Sequence, residues 1–147
     1  MKVKVTPGRR DALMLAGALL ISSVFPSFVE ADGARVLERS ASDIRQRGWV
    51  YTTPLSVPDG ETRSATLSTL YWQLELIDSP EPPRMALCSP SRCEDLATLR
   101  GRTEAFRGFP ADTRFELRYG LPGEGMLRQP VRAGRFQLIL NYRDETP

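Results

Sequence analysis

The side chains able to do chemistry in this 147-residue chain are few, and histidine is absent. Its only thiols are Cys88 and Cys93 in the stretch LCSPSRCEDL, with Ser89, Pro90, Ser91 and Arg92 between them. A redox dithiol prefers two intervening residues and a thiolate poised at a helix start, and neither condition is met. A structural zinc site normally takes four ligands, of which two thiolates supply half. Without histidine, Ser-His-Asp and Cys-His catalytic sets and imidazole metal sites are excluded. Glu94 and Asp95 are adjacent, so on a strand they point to opposite faces instead of facing each other across a cleft as glycosidase carboxylates do. The glycines of LPGEG lack the lysine and the following helix of a phosphate loop. The sequence therefore offers no catalytic, cofactor-binding or metal residues, and it reads as non-enzymatic, with no cofactor.

A covalent staple is what remains for the two thiols. In an α-helix, residues five apart are offset by about 7.5 Å along the axis and lie on nearly opposite sides, beyond disulfide reach. Across a hairpin with a four-residue loop they would face each other, with Cα atoms about 5 Å apart. Pro90 suits the second position of a type I turn in such a loop. The staple requires an oxidising compartment, and the amino terminus bears on that. Lys2, Lys4, Arg9 and Arg10 precede an uncharged apolar run at residues 12–24, ALMLAGALLISSV. The run is too short to span a bilayer, for which about 20 apolar residues are wanted, but it suits a secretory signal. Pro26 interrupts it, and Val29-Glu30-Ala31 reads as a peptidase site, which predicts cleavage after Ala31. Arg9-Arg10 hints at twin-arginine export, although nothing later in the chain needs a cofactor inserted before export, so ordinary secretion is the reading. No stable membrane span would remain after cleavage.

The leader holds four of the 20 basic and two of the 18 acidic residues, which leaves residues 32–147 with sixteen of each and no net charge. Neutrality argues against general nucleic-acid binding, which needs a clear basic excess. All of those remaining basic residues are arginine, a side chain whose planar fork suits protein interfaces.

Strand signals dominate the chain beyond the leader. Residues 32–47 are polar and read as a loose leading segment. Residues 49–57, WVYTTPLSV, are aromatic and β-branched, and Pro54 marks them as an edge or bulged strand. In residues 65–78, ATLSTLYWQLELID, alternation puts Leu70, Trp72, Leu74 and Leu76 on one face. The prolines of DSPEPP stop that strand, and RMALC starts another. Residues 95–104 read as a charged, mobile segment. RFELRYGL alternates again, with Phe115, Leu117, Tyr119 and Leu121 inward. A short edge strand carries Met126 and Leu127, Ala133-Gly134 intervenes, and RFQLILNYR sets Phe136, Leu138, Leu140 and Tyr142 on one face. Residues 144–147 are expected to fray. These features predict one all-β domain at 32–147, an antiparallel β-sandwich or small barrel of about six to eight short strands.

Several short motifs in order resemble the flagellar protein FlhE family: Leu87 to Cys93 followed by acidic residues and Leu96, Gly101-Arg102-Thr103, FRGFP at 106–110, the Leu121-Pro122-Gly123 turn, and Leu140-Asn141-Tyr142-Arg143. The resemblance runs from about Trp49 to Arg143. The tail beyond Arg143 and the longer basic leader are less typical of the family. The resemblance implies a periplasmic accessory factor of flagellum assembly whose partners are export-gate or periplasmic flagellar proteins. Such a factor either limits proton leakage through the export gate or acts as a chaperone that keeps flagella from forming in the periplasm.

A binding role directs attention to surfaces. Arg92 is expected at the tip of the pinned loop, where preorganisation reduces the entropy lost on binding. Tyr71 falls on the non-core face of the long strand, and Trp49 opens an edge suited to strand addition. Tyr142 and Arg143 end the last strand. The alternative reading is a secreted sandwich that binds a cell-wall glycan or another small ligand through Trp49, Trp72 and the tyrosines.

Overall fold

A computed structural model describes residues 32–58 and 64–144. The leader and its expected cleavage site lie outside the described residues. Within them run nine strands: β1 (Asp32–Ser40), β2 (Ile44–Gln46), β3 (Tyr51–Leu55), β4 (Ala65–Ile77), β5 (Arg84–Cys88), β6 (Cys93–Leu96), β7 (Arg100–Thr103), β8 (Phe115–Gly120) and β9 (Met126–Asp144). One sheet has the order β1-β9-β4-β7, with β2 also on β9; the other has the order β3-β8-β5-β6. Every strand pairing is antiparallel. The molecule is thus an antiparallel β-sandwich.

Alternation explains the core. Leu70, Trp72 and Leu74 of β4 and Phe136, Leu138 and Leu140 of β9 are buried on the inner face of the larger sheet. Phe115, Leu117 and Tyr119 of β8 and Met85 and Leu87 of β5 are buried on the inner face of the smaller one. Each such apolar side chain contributes about 1.5–3 kcal/mol relative to exposure. Phe106 fills the end of the core, edge-to-face with Phe109 and Phe115 at centroid distances of 5.6 and 5.1 Å.

Four sequence expectations change. Residues 32–47 are not loose: β1 pairs with β9 over its whole length, from Asp32 opposite Arg143 to Ser40 opposite Arg135, and β2 follows. The segment looked loose because β1 is an edge strand that buries only Leu37 among its aliphatic side chains. Residues 95–104 contain the end of β6 and the whole of β7, each an outermost strand whose charged side chains project to water. The last two strands are one, since β9 continues through Ala133-Gly134. Gly134 serves a register irregularity between β4 and β9, where a Cβ would collide with the Glu75 carboxylate. That carboxylate accepts the Arg135 N–H at 3.0 Å. Asp144, expected to fray, sits opposite Ala65 in the ladder; residues 145–147 lie outside the described residues.

Candidate functional site

The cysteines close a hairpin. Cys88 and Cys93 are directly opposite in the β5–β6 ladder and form a disulfide with Cα atoms 4.0 Å apart. The Ser89 N–H donates to the Arg92 carbonyl at 2.7 Å, and the Ser89 hydroxyl oxygen accepts the Arg92 N–H at 3.1 Å. Pro90 and Ser91 are therefore the tip, and Arg92 is the shoulder of the loop. The Arg92 guanidinium is 4.0 Å from Glu94 and half exposed, a geometry in which an ion pair adds little.

The hairpin belongs to the outer face of the smaller sheet. Leu87 points inward, so its neighbour Cys88 points outward, opposite Glu116 of β8. Two clefts open on this face, one on each side of Arg118, whose Nε donates to Glu116 at 2.8 Å. The larger, about 640 Å³, lies between the hairpin and the end of β3, against Pro54, Pro58, Ser89, Pro90 and Arg114. The second, about 470 Å³, is walled by Trp49, Val50, Arg84 and Pro122 and floored by Ala86 and Gly120.

The second cleft exists because the chain crosses over β8 before entering β3. Gly48, at φ 72°, donates its N–H to the Leu121 carbonyl at 2.9 Å and turns the backbone across Gly120. A Cβ on Gly120 would collide with the Trp49 carbonyl oxygen, so only glycine admits the crossing. The strap leaves the side chains of Trp49 and Val50 59% and 61% exposed. Arg47 fastens its near end, forming an ion pair with Glu81 and donating to the Pro122 carbonyl at 3.1 Å. Beneath, the buried Tyr119 hydroxyl donates to the Ser42 carbonyl at 2.7 Å, and desolvation pushes the phenol above its ordinary pKa of 10.0.

The outer face of the larger sheet carries cross-strand rows of side chains. Register lines up Val36, Ile139, Tyr71 and Arg102 across β1, β9, β4 and β7, and beside them Glu38, Gln137, Gln73 and Arg100. Gln137 donates to Glu38 at 2.7 Å, and Arg135 reaches the same carboxylate at 3.4 Å. The depression beside Tyr71 is about 300 Å³.

The structure thus brings Trp49 and the Arg92 hairpin onto one face and leaves Tyr71 on the opposite one. Tyr142 is half-buried, its ring lying over Gly33, where a Cβ would collide with it; this is packing at the end of β9. Arg143 follows it in the ladder, opposite Asp32 and Thr66. Trp72, one of the aromatics of the glycan reading, is buried; its indole N–H donates to the Thr98 carbonyl at 2.9 Å and its ring rests on Gly101. Sequence reasoning missed Arg84, Gly120 and Pro122, which meet Trp49 only through the fold. Gly120 before Leu121-Pro122-Gly123 was the signal to use, since a glycine inside an alternating strand marks a close backbone approach.

Among the described residues, no group of three or more His, Cys, Asp or Glu is placed to hold a metal ion. Among them, too, no helix is long and apolar enough to cross a membrane. The family model described as flagellar protein FlhE matches residues 41–143. The flagellar protein FlhE of Escherichia coli is 33% identical over 129 residues, covering 85% of this chain and 98% of that protein. The Salmonella typhimurium protein of the same name is 31% identical over 125 residues, covering 82% and 94%. The crystal structure of FLHE superimposes with a TM-score of 0.66 at 30% identity, covering 76% of this chain and 97% of that one. Sequence and structure converge, and the chain belongs to the flagellar protein FlhE family.

Proposed function

We propose that this chain is a non-enzymatic periplasmic accessory factor of flagellum assembly that acts by binding a protein. Family membership supports the flagellar role. The observation that carries binding is the exposed Trp49 held over an apolar cleft by a strap with its own glycine floor. Fully formed, solvent-open aromatic walls of this kind are what interface anchors look like before a partner covers them. Limiting proton leakage through the export gate and chaperoning assembly both require recognition of a protein surface, and neither requires bond chemistry. Residues 32–147 act as the single mature domain, released by cleavage after Ala31.

Deleting the gene in its flagellated host tests the reading. The expected outcome is acidified cytoplasm or flagella misplaced in the periplasm, reversed by the wild-type chain, with the recovered protein starting at Asp32. Normal motility, normal flagellar placement and unchanged cytoplasmic pH in the deletion strain would overturn it.

A further inference from the structure

We infer that the outer face of the four-stranded sheet is the docking site for an extended, acidic segment of a partner protein, which seats one apolar side chain in the cleft beside Trp49. The inference rests on the protein-binding role proposed for the chain and names the surface and the chemistry of the partner.

Three observations carry it. The first is the anchor pocket. Trp49 and Val50 are among the most exposed large apolar side chains described, and they stand beside Ala86, whose small side chain leaves room for an incoming one, while Gly120 is covered by the strap itself. Burying that side chain against an exposed tryptophan recovers apolar area on both partners, the usual composition of an interface centre. The second is direction. Both clefts adjoin Arg118, one toward Gly120 and the other toward the hairpin, so a segment filling both runs along β8. An extended chain, at about 3.3 Å per residue, matches the rise of the strand beneath it. The third is charge. Arg84 beside the Trp49 cleft and Arg114 beside the hairpin cleft form no ion pair among the described residues. Arg118 is already engaged by Glu116, which leaves Asp95, among the described residues, as the one unpaired carboxylate lining the two clefts. Unsatisfied guanidinium groups flanking an apolar pocket match carboxylates flanking an apolar side chain. A second copy of this chain docking through the same face would present the same arginines and be repelled.

Binding is read through Trp49. Trp72 is 8% exposed and Trp49 59%, so acrylamide quenching of tryptophan emission in the full chain reports the cleft against an internal reference. The probe is a short synthetic peptide alternating glutamate and serine around one central phenylalanine. We expect it to protect Trp49 from quenching, with affinity falling as salt rises. Arg84→Glu weakens binding by about tenfold while Arg84→Lys retains most of it, since the site reads charge. Tyr71→Ser on the opposite face leaves binding unchanged. Equal protection by the lysine counterpart of the peptide, or by a peptide with alanine replacing phenylalanine, would overturn the proposal. So would protection by an N-acetylglucosamine oligomer but not by the peptide, or protection that follows self-association in sedimentation. In the deletion strain, full complementation by a folded chain carrying Trp49→Ala and Arg84→Glu sinks this inference and leaves the flagellar reading standing. Failure of the wild-type chain to complement sinks that reading, and the peptide experiment still decides the surface.

Discussion

The two outer faces of the sandwich are built from the same residue types under different rules. On the five-stranded sheet, outward side chains meet across strands in rows, as from Val36 through Ile139 and Tyr71 to Arg102, with one depression of about 300 Å³ beside Tyr71. On the four-stranded sheet, the ladder is overlaid by a crossing strap at Trp49 and finished by a stapled hairpin at Cys88 and Cys93. Part of the five-stranded surface is engaged by its own neighbours, as Glu38 is by Gln137 and Arg135. The strap and the hairpin create concavity on the four-stranded sheet, although its ladders are regular and the register shifts lie in the larger sheet, between β4 and β9 and between β2 and β9.

Replacing Gly120 with valine tests that contrast most severely. The new side chain collides with backbone at Trp49, so the strap lifts, and chemical denaturation should show a loss of about 3 kcal/mol together with loss of peptide binding. Ile139→Val on the outer face of the larger sheet should cost less than about 1 kcal/mol. Equal costs would erase the distinction between the faces. The next largest effect is expected from Cys88→Ser combined with Cys93→Ser, at about 2 kcal/mol for so small a ring. Amide hydrogen exchange should quicken in β5 and β6 while β4 and β9 keep their protection. A uniform rise across both sheets would show that the hairpin is not a separate stabilising unit. Tyr119→Phe should cost about 1 kcal/mol near neutral pH, through the lost bond to Ser42. Because burial raises the Tyr119 pKa, the unfolded chain releases this proton first as pH climbs. The wild type therefore keeps the full contribution below about pH 10 and loses it above, as pH rises toward the folded-state value. Tyr119→Phe should flatten the alkaline part of the stability curve, and an unchanged slope would assign the loss to other groups.

The strands that bury one whole side were legible in the sequence. β4, β5 and β8 follow their period-two patterns closely, and Leu70, Trp72, Leu117 and Tyr119 point where alternation places them. β1 and β7 were not, because an edge strand is specified by the neighbour it joins; Arg35, Glu38 and Arg39 give no apolar signal. Gly134 misled for a related reason: it makes room for the Glu75 carboxylate instead of ending a strand. Trp49 and the cysteine loop stood out by residue type alone. Arg84, Ala86 and Pro122 could not, since they reach Trp49 through the register of β5 on β8 and through the turn after β8. Arg92 was placed at the tip because the Ser89 hydroxyl capture of its N–H cannot be read from spacing.

β9 is the shared neighbour of β1, β2 and β4. Delivered amino end first, from a ribosome or through a narrow passage, the chain presents β1 with no partner at all and β4 with only the short β7 until the final strand arrives. The larger sheet then closes between the far ends of the described chain, Asp32 against Arg143. Such a topology makes completion of the larger sheet late, non-local and slow compared with hairpin closure, so the four-stranded sheet has all its strands before the sandwich it belongs to can close.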